Sequence, residues 1–98
     1  MLITDKLCDK CLEVSIEGRL DTITAPELEN KLKAFLPQIT ELKLNFEKLD
    51  YISSAGLRVL LSCRKIMNKQ GKMTVSNVKS EVMDIFEVTG FSDILTIL

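Results

Sequence analysis

The sequence predicts an α/β fold in one domain over residues 1–98: a mixed sheet of four to five strands, an N-terminal antiparallel hairpin, and about three helices packed on the sheet. Two apolar stretches near the start are separated by a short connection, and strand-like and helix-like patterns alternate after them. No linker, repeat or low-complexity tract interrupts this alternation. With 98 residues and 46% hydrophobic content, the chain is long enough to bury one core without a disulfide or a metal.

The first two strands are predicted over Leu2–Leu7 and Leu12–Gly18. The second alternates apolar and polar residues with a period of two, which is typical of a strand with one buried face. The connection between them leaves room only for a tight turn, so we expect an antiparallel hairpin. Its ends, Cys8 and Cys11, have a spacing found in redox and zinc sites. A redox pair normally opens a helix and structural zinc needs two further ligands, so we expect reduced thiols and no metal.

The first helix is predicted to begin at Thr24-Ala25-Pro26-Glu27, which matches a capping box. In this motif the Thr24 hydroxyl accepts a hydrogen bond from the Glu27 N–H, and Pro26 fits the first turn. Pro37 is expected to end the helix because it has no N–H to donate. The apolar residues between these signals share one helical face: Leu28, Leu32, Phe35 and Leu36.

The middle of the chain predicts a short strand over 42–46 and then the longest helix. A strand-like pattern at Asp50–Ile52 breaks at two serines and resumes as a helix pattern over Ser54–Gln70. Gly71 is expected to terminate this helix in the left-handed conformation. The helix carries an apolar stripe that comprises Leu57, Leu60, Leu61 and Met67, widened by Val59, Cys63 and Ile66.

The remaining chain predicts one strand at 73–77 and a third helix with Val82, Ile85 and Phe86 on one face. Gly90, followed by Phe91, is expected to cap the C-terminus of that helix. Residues 94–98 predict a last short strand.

Composition disfavours several function classes. The formal charge of −1, from 13 basic and 14 acidic side chains, offers no positive excess for nucleic acid or anionic lipid. The charged amino terminus and the lack of a run of roughly 18 apolar residues predict a cytoplasmic protein without membrane insertion. The chain has no histidine, which excludes a Ser-His-Asp or Cys-His site. No pattern of a nucleophilic serine or of a nucleotide-binding loop is present, so we expect no enzyme and no cofactor.

Ser53 and Ser54 stand where the strand pattern gives way to the helix pattern. Free N–H groups and the positive end of the helix dipole make such a position suitable for a phosphate. An ordinary N-cap is the alternative interpretation of Ser54, because a serine at a helix start stabilises it by about 1 kcal/mol without modification. The residues alone leave both open.

Three segments give the chain a resemblance to the STAS domain of the anti-sigma factor antagonist family: Gly18-Arg19-Leu20-Asp21, residues 42–46 with Tyr51–Leu57, and Val88-Thr89-Gly90-Phe91. In that family a serine before the second helix is phosphorylated by the partner anti-sigma factor, an ATP-dependent serine kinase. The resemblance implies that the unphosphorylated protein binds the anti-sigma factor and frees the sigma factor. The phosphorylated form is released until a phosphatase restores it.

Ser54 matches the phosphorylated position, and its spacing to Gly56 and Leu57 favours it over Ser53. Many family members carry an acidic residue where this chain has Ser53, which leaves Ser53 as the alternative site. The same resemblance implies a partner surface that comprises Asp21, Ser53, Ser54, Gly56, Leu57 and Arg58.

Each of these partner-surface residues also has a structural interpretation. Asp21 fits a turn in which its carboxylate accepts backbone N–H bonds. Gly56 fits a close backbone approach at a docking surface, or a glycine tolerated in a first turn. Leu57 fits the core with Leu60 and Leu61, or it is the one apolar side chain of the second helix that stays exposed as an anchor. Arg58 fits either a partner carboxylate or the phosphate, or a solvated surface position.

A second hypothesis for the function is a STAS scaffold or accessory subunit of a stress-sensing complex or of a lipid-transport assembly.

Overall fold

The computed structural model describes residues 1–98 and has ten elements. The strands are β1 (Leu2–Cys8), β2 (Cys11–Leu20), β3 (Glu41–Asn45), β4 (Leu49–Ile52) and β5 (Lys72–Ser76). The helices are α1 (Ala25–Phe35), α2 (Ser54–Gln70), α3 (Ser80–Thr89) and α4 (Phe91–Ile94), with a 3₁₀ turn at Leu36–Gln38. The predicted α/β fold, with its N-terminal hairpin and three long helices, is confirmed.

The ten-residue strand β2 organises the sheet. It pairs antiparallel with β1 on one side. On the other side its first half pairs in parallel with β3, and its second half pairs in parallel with β4. Strand β5 lies beyond β3 and is parallel to it. Because β2 and β4 run in the same direction and end together at Leu20 and Ile52, the segments that follow them lie side by side.

One cluster of 24 buried residues forms the core. Strand β2 buries every second side chain over most of its length, as its period-two pattern predicts. The intervening side chains of β2, among them Glu13, Ser15 and Glu17, are exposed, so this face of the strand is open. The apolar stripes of α1 and α2 cover the other face, and the rings of Phe46 and Phe86 pack 6.4 Å apart. Burial raises the pKa of the Cys63 thiol to about 12, so this cysteine behaves as a small apolar side chain.

The capping box predicted for α1 is wrong. Thr24 is the N-cap residue and Pro26 lies in the first turn, but the Thr24 side chain makes no cap hydrogen bond. The Glu27 N–H donates to the Thr24 carbonyl oxygen instead, at 3.1 Å. The Thr24 hydroxyl instead accepts a hydrogen bond from the N–H of Asp21, three residues before it in the chain, at 2.9 Å.

Two predictions near the ends of later elements also need correction. Gly71 ends α2, but with a φ of 174° rather than in the left-handed conformation. Residues 94–98 do not form a regular strand, because α4 runs to Ile94 and only one bridge joins Ile97 to Val75 of β5. Gly90 does cap α3 in the left-handed conformation, with a φ of 83°.

Candidate functional site

The candidate site lies at the carboxyl ends of the neighbouring strands β2 and β4, where sites of parallel sheets usually form. Asp21 directly follows β2, and Ser53 directly follows β4. The Ser53 N–H donates to the Leu20 carbonyl oxygen at 2.9 Å and so continues the pairing of the two strands. The structure therefore places the Asp21 turn next to the segment that carries the two serines.

The two serines are not equivalent. Ser53 is the N-cap residue of α2, with extended backbone angles (φ −98°, ψ 177°) and no side-chain cap hydrogen bond. Its Oγ is buried and has no hydrogen-bond partner in the protein. Ser54 is the first helical residue and is exposed. The interpretation of Ser54 as the N-cap is therefore wrong, since Ser53 occupies that position.

The N-terminus of α2 is electrostatically suited to an added negative charge. Its first helical hydrogen bond runs from the Leu57 N–H to the Ser53 carbonyl oxygen at 2.9 Å, so the three preceding N–H groups lie ahead of the helical ladder. No acidic residue lies in the first turn. Arg58 is exposed and stands four residues after Ser54, which places both on one face of the helix. The positive helix end and this guanidinium both favour a phosphate at Ser54.

The Asp21 carboxylate is engaged within its own loop. Its Oδ1 accepts hydrogen bonds from the N–H groups of Ile23 at 3.0 Å and of Thr24 at 3.1 Å. Its Oδ2 lies 4.0 Å from the Arg19 Nε. The hydrogen bond from the Thr24 N–H is the main cause that holds the pKa of the Asp21 carboxyl below its usual value. The geometry is that of a turn aspartate, which is one of its two sequence-based interpretations.

Arg19 and Tyr51 contact each other near the carboxyl ends of β2 and β4, and their residue types alone do not predict this contact. They are neighbours in the register of β2 and β4, and the Arg19 guanidinium lies 4.2 Å from the centre of the Tyr51 ring. A cation over an aromatic face at this distance is a favourable contact. Nothing in the sequence pairs these residues until the strand register is known.

Gly56 and Leu57 face the protein's own core rather than a partner. A Cβ at Gly56 would lie 2.8 Å from both Leu20 Cγ and Ile52 Cγ1, so the close backbone approach is to the sheet. Leu57 is only 6% exposed, and the prediction of an exposed anchor at this position is wrong. The helical stripe that buries Leu60 also buries Leu57 because the two are three residues apart.

Cys8 and Cys11 lie at the opposite end of β2 from the serines. They are the last residue pair of the hairpin, and both are free thiols. The structure has no group of three or more histidine, cysteine, aspartate or glutamate side chains placed to hold a metal ion. None of its helices has the length and apolar character required to cross a membrane.

The sequence matches a known protein family over almost its whole length. A family model of the STAS domain matches residues 4–98. The anti-sigma-B factor antagonist of Bacillus subtilis (strain 168) is 31% identical over 87 residues, which cover 88% of this chain and 80% of that protein.

Solved structures share the fold. An anti-sigma factor antagonist from Mycobacterium paratuberculosis superimposes with a TM-score of 0.88 at 21% identity, covering 98% of this chain and 83% of that one. The Bacillus cell fate determinant SpoIIAA in its phosphorylated form gives a TM-score of 0.78 at 16% identity, covering 99% and 91%. On the family match and the identity to the Bacillus subtilis protein, this chain belongs to the STAS domain family, among the anti-sigma factor antagonists.

Proposed function

We propose that this anti-sigma factor antagonist binds an anti-sigma factor with serine kinase activity while Ser54 is unmodified, and is released when that kinase phosphorylates Ser54. The chain is then a ligand and a substrate rather than an enzyme. A phosphatase returns it to the binding form. The reaction consumes ATP, which fits a cytoplasmic setting.

The difference in exposure between the two serines carries the choice of Ser54. A kinase must bring the hydroxyl oxygen against the γ-phosphate of ATP, which requires an exposed side chain. Ser54 is exposed, whereas the Oγ of Ser53 is buried. Phosphorylation of Ser53 would first require the start of α2 to open.

The start of α2 also favours the phosphorylated product. A phosphoserine carries a charge of about −1.5 to −2 and three acceptor oxygens. At Ser54 these oxygens lie beside N–H groups that precede the helical ladder and one turn from Arg58. The fold therefore tolerates the modification without rearrangement, and the change in binding arises at the surface.

Release follows from the cost of covering the new charge. A partner that packs over Ser54 and Asp21 in the unmodified protein would have to bury a phosphate against its own surface. Removing this charge from water costs several kcal/mol where the partner supplies no donors to it, and each 1.4 kcal/mol lowers affinity about tenfold. One phosphate is thus sufficient for a switch. Arg58 is the residue we propose to contact the partner before phosphorylation and the phosphate afterwards.

Intact-mass analysis tests the assignment. The wild-type protein and the variants Ser54→Ala and Ser53→Ala are incubated with ATP and the anti-sigma factor of the same organism. We expect one added phosphate on the wild type and on Ser53→Ala, and none on Ser54→Ala. A phosphate that persists on Ser54→Ala and disappears from Ser53→Ala would move the site to Ser53. No phosphate on any variant, with an active kinase and demonstrated binding, would favour the scaffold hypothesis.

A further inference from the structure

Ile23 is an exposed apolar side chain that the proposed phosphorylation switch leaves unexplained. It lies in the loop between β2 and α1, and its side chain is 87% exposed. A single exposed apolar residue is common on protein surfaces, so its exposure alone has no functional meaning. Ile23 differs from a scattered exposed residue in two respects: the place of its loop in the fold and the hydrogen bonds that hold the backbone of that loop.

The loop that carries Ile23 is held by a dense set of hydrogen bonds. The Ile23 N–H donates to Asp21 Oδ1 at 3.0 Å, and the Thr24 hydroxyl lies 2.9 Å from both the Asp21 N–H and the Arg19 carbonyl oxygen. The Ala25 N–H donates to the Asp21 carbonyl oxygen at 2.8 Å. These bonds fix the backbone on both sides of Ile23, so its side chain is presented in a defined direction.

The same loop lies against the start of α2. Thr22 and Ala25 line a shallow groove of about 180 Å³ together with Ala55 and Arg58. Ala55 directly follows Ser54 in the helix. Ile23 does not line this groove itself, but it directly follows Thr22, which does. A partner seated over Ser54 and this groove would also reach Ile23.

We propose that Ile23 is an anchor residue that inserts into an apolar pocket of the anti-sigma factor, beside the contact that phosphorylation of Ser54 disrupts. This inference rests on the proposed function. A β-branched side chain on a fixed loop loses little conformational freedom on binding, because most of the ordering is already present in the free protein. A residue that fills a fully desolvated partner pocket contributes a large share of the binding energy, and an isoleucine side chain does so by removing its apolar surface from water.

Val88 provides a matched control for the test. It is also a β-branched aliphatic residue, it is 88% exposed, and it lies on α3 rather than on the loop or α2. Truncation of Val88 removes a comparable exposed apolar surface elsewhere on the protein. Ile23→Val is the conservative variant, since it keeps the β-branch and most of the apolar volume.

The test is the Kd of each unphosphorylated variant for the anti-sigma factor, measured by isothermal titration calorimetry. We expect Ile23→Ala to bind at least tenfold more weakly than the wild type, which corresponds to about 1.4 kcal/mol. We expect Val88→Ala to stay within about twofold and Ile23→Val within about threefold. Urea unfolding of Ile23→Ala should match the wild type, because the side chain is exposed.

The phosphorylated wild-type protein, measured alongside, separates this inference from the proposed function. If it binds weakly while Ile23→Ala binds as tightly as the unmodified wild type, the anchor is overturned and the switch stands. If Val88→Ala weakens binding as much as Ile23→Ala, the specific role of Ile23 is overturned. If the unmodified wild type does not bind, both the proposed function and the anchor fail.

Discussion

At the scale of single residues, the site depends on which of two adjacent serines begins the helix. The sequence pattern correctly began the helix at Ser54, but it also offered Ser54 as the N-cap, which is Ser53 in the structure. The roles of the two serines follow from the hydrogen bond between the Ser53 N–H and the Leu20 carbonyl oxygen, which holds Ser53 at the end of the sheet and makes Ser54 the first helical residue. Helix propensity and capping preference do not locate the N-cap of a helix to within one residue.

The buried hydroxyl of Ser53 leads to a stability prediction. When the side chain of a serine caps a helix, its replacement by alanine lowers the free energy of unfolding by about 1 kcal/mol. The Ser53 Oγ makes no cap bond and has no partner, so Ser53→Ala should lower the free energy of unfolding by no more than about 0.5 kcal/mol. Urea unfolding measures this, with the exposed Ser54→Ala as the control. A loss of 1 kcal/mol or more would show that the Ser53 hydroxyl caps α2 in solution.

Leu57 and Ile23 differ in how far their exposure can be predicted from the sequence. Leu57 belongs to the apolar stripe of α2, and helical periodicity predicts that residues of this stripe face the core. Ile23 belongs to a four-residue loop, where no periodic pattern indicates which side a residue faces. The exposed apolar side chain in the loop between β2 and α1 is therefore one that only the structure identifies.

At the scale of elements, the sequence predicted where α2 begins and ends but not what its glycines do. Gly56 brings the first turn of the helix against Leu20 and Ile52, and Gly71 brings its end against the backbone of Thr40. Neither close approach has a local sequence signal, because the contacting residues are distant in the chain. The capping box failed at α1 for a local reason, because the Asp21 N–H donates to the Thr24 hydroxyl that the motif would use.

Alanine substitutions at the two glycines should differ in cost. A Cβ at Gly71 would lie 1.7 Å from the Thr40 carbonyl oxygen, a backbone atom, so Gly71→Ala should lower the free energy of unfolding by about 3 kcal/mol or more. A Cβ at Gly56 meets side-chain atoms at 2.8 Å, and alanine is also the better helix former, so the net loss should be about 1 kcal/mol. Urea unfolding of both variants tests this order, and an equal or reversed order would contradict the packing at the two ends of α2.

At the scale of the whole molecule, the fold class was predictable because alternation of strands and helices is a property of the chain alone. The sheet order was not, because it depends on which strands pair. The long strand β2 pairs with β3 over one half and with β4 over the other. Asp21, Ser54 and the Arg19–Tyr51 contact therefore lie near the carboxyl end of β2. The Cys8–Cys11 hairpin turn lies at its amino end.

The central claim is that a phosphate on Ser54 weakens binding without unfolding the protein. The most direct test measures the Kd for the anti-sigma factor with unmodified protein and with protein fully phosphorylated on Ser54, together with a circular dichroism spectrum of each. We expect the phosphorylated form to bind at least a hundredfold more weakly, which corresponds to about 2.8 kcal/mol, with an unchanged spectrum. Equal affinity of the two forms would contradict the account.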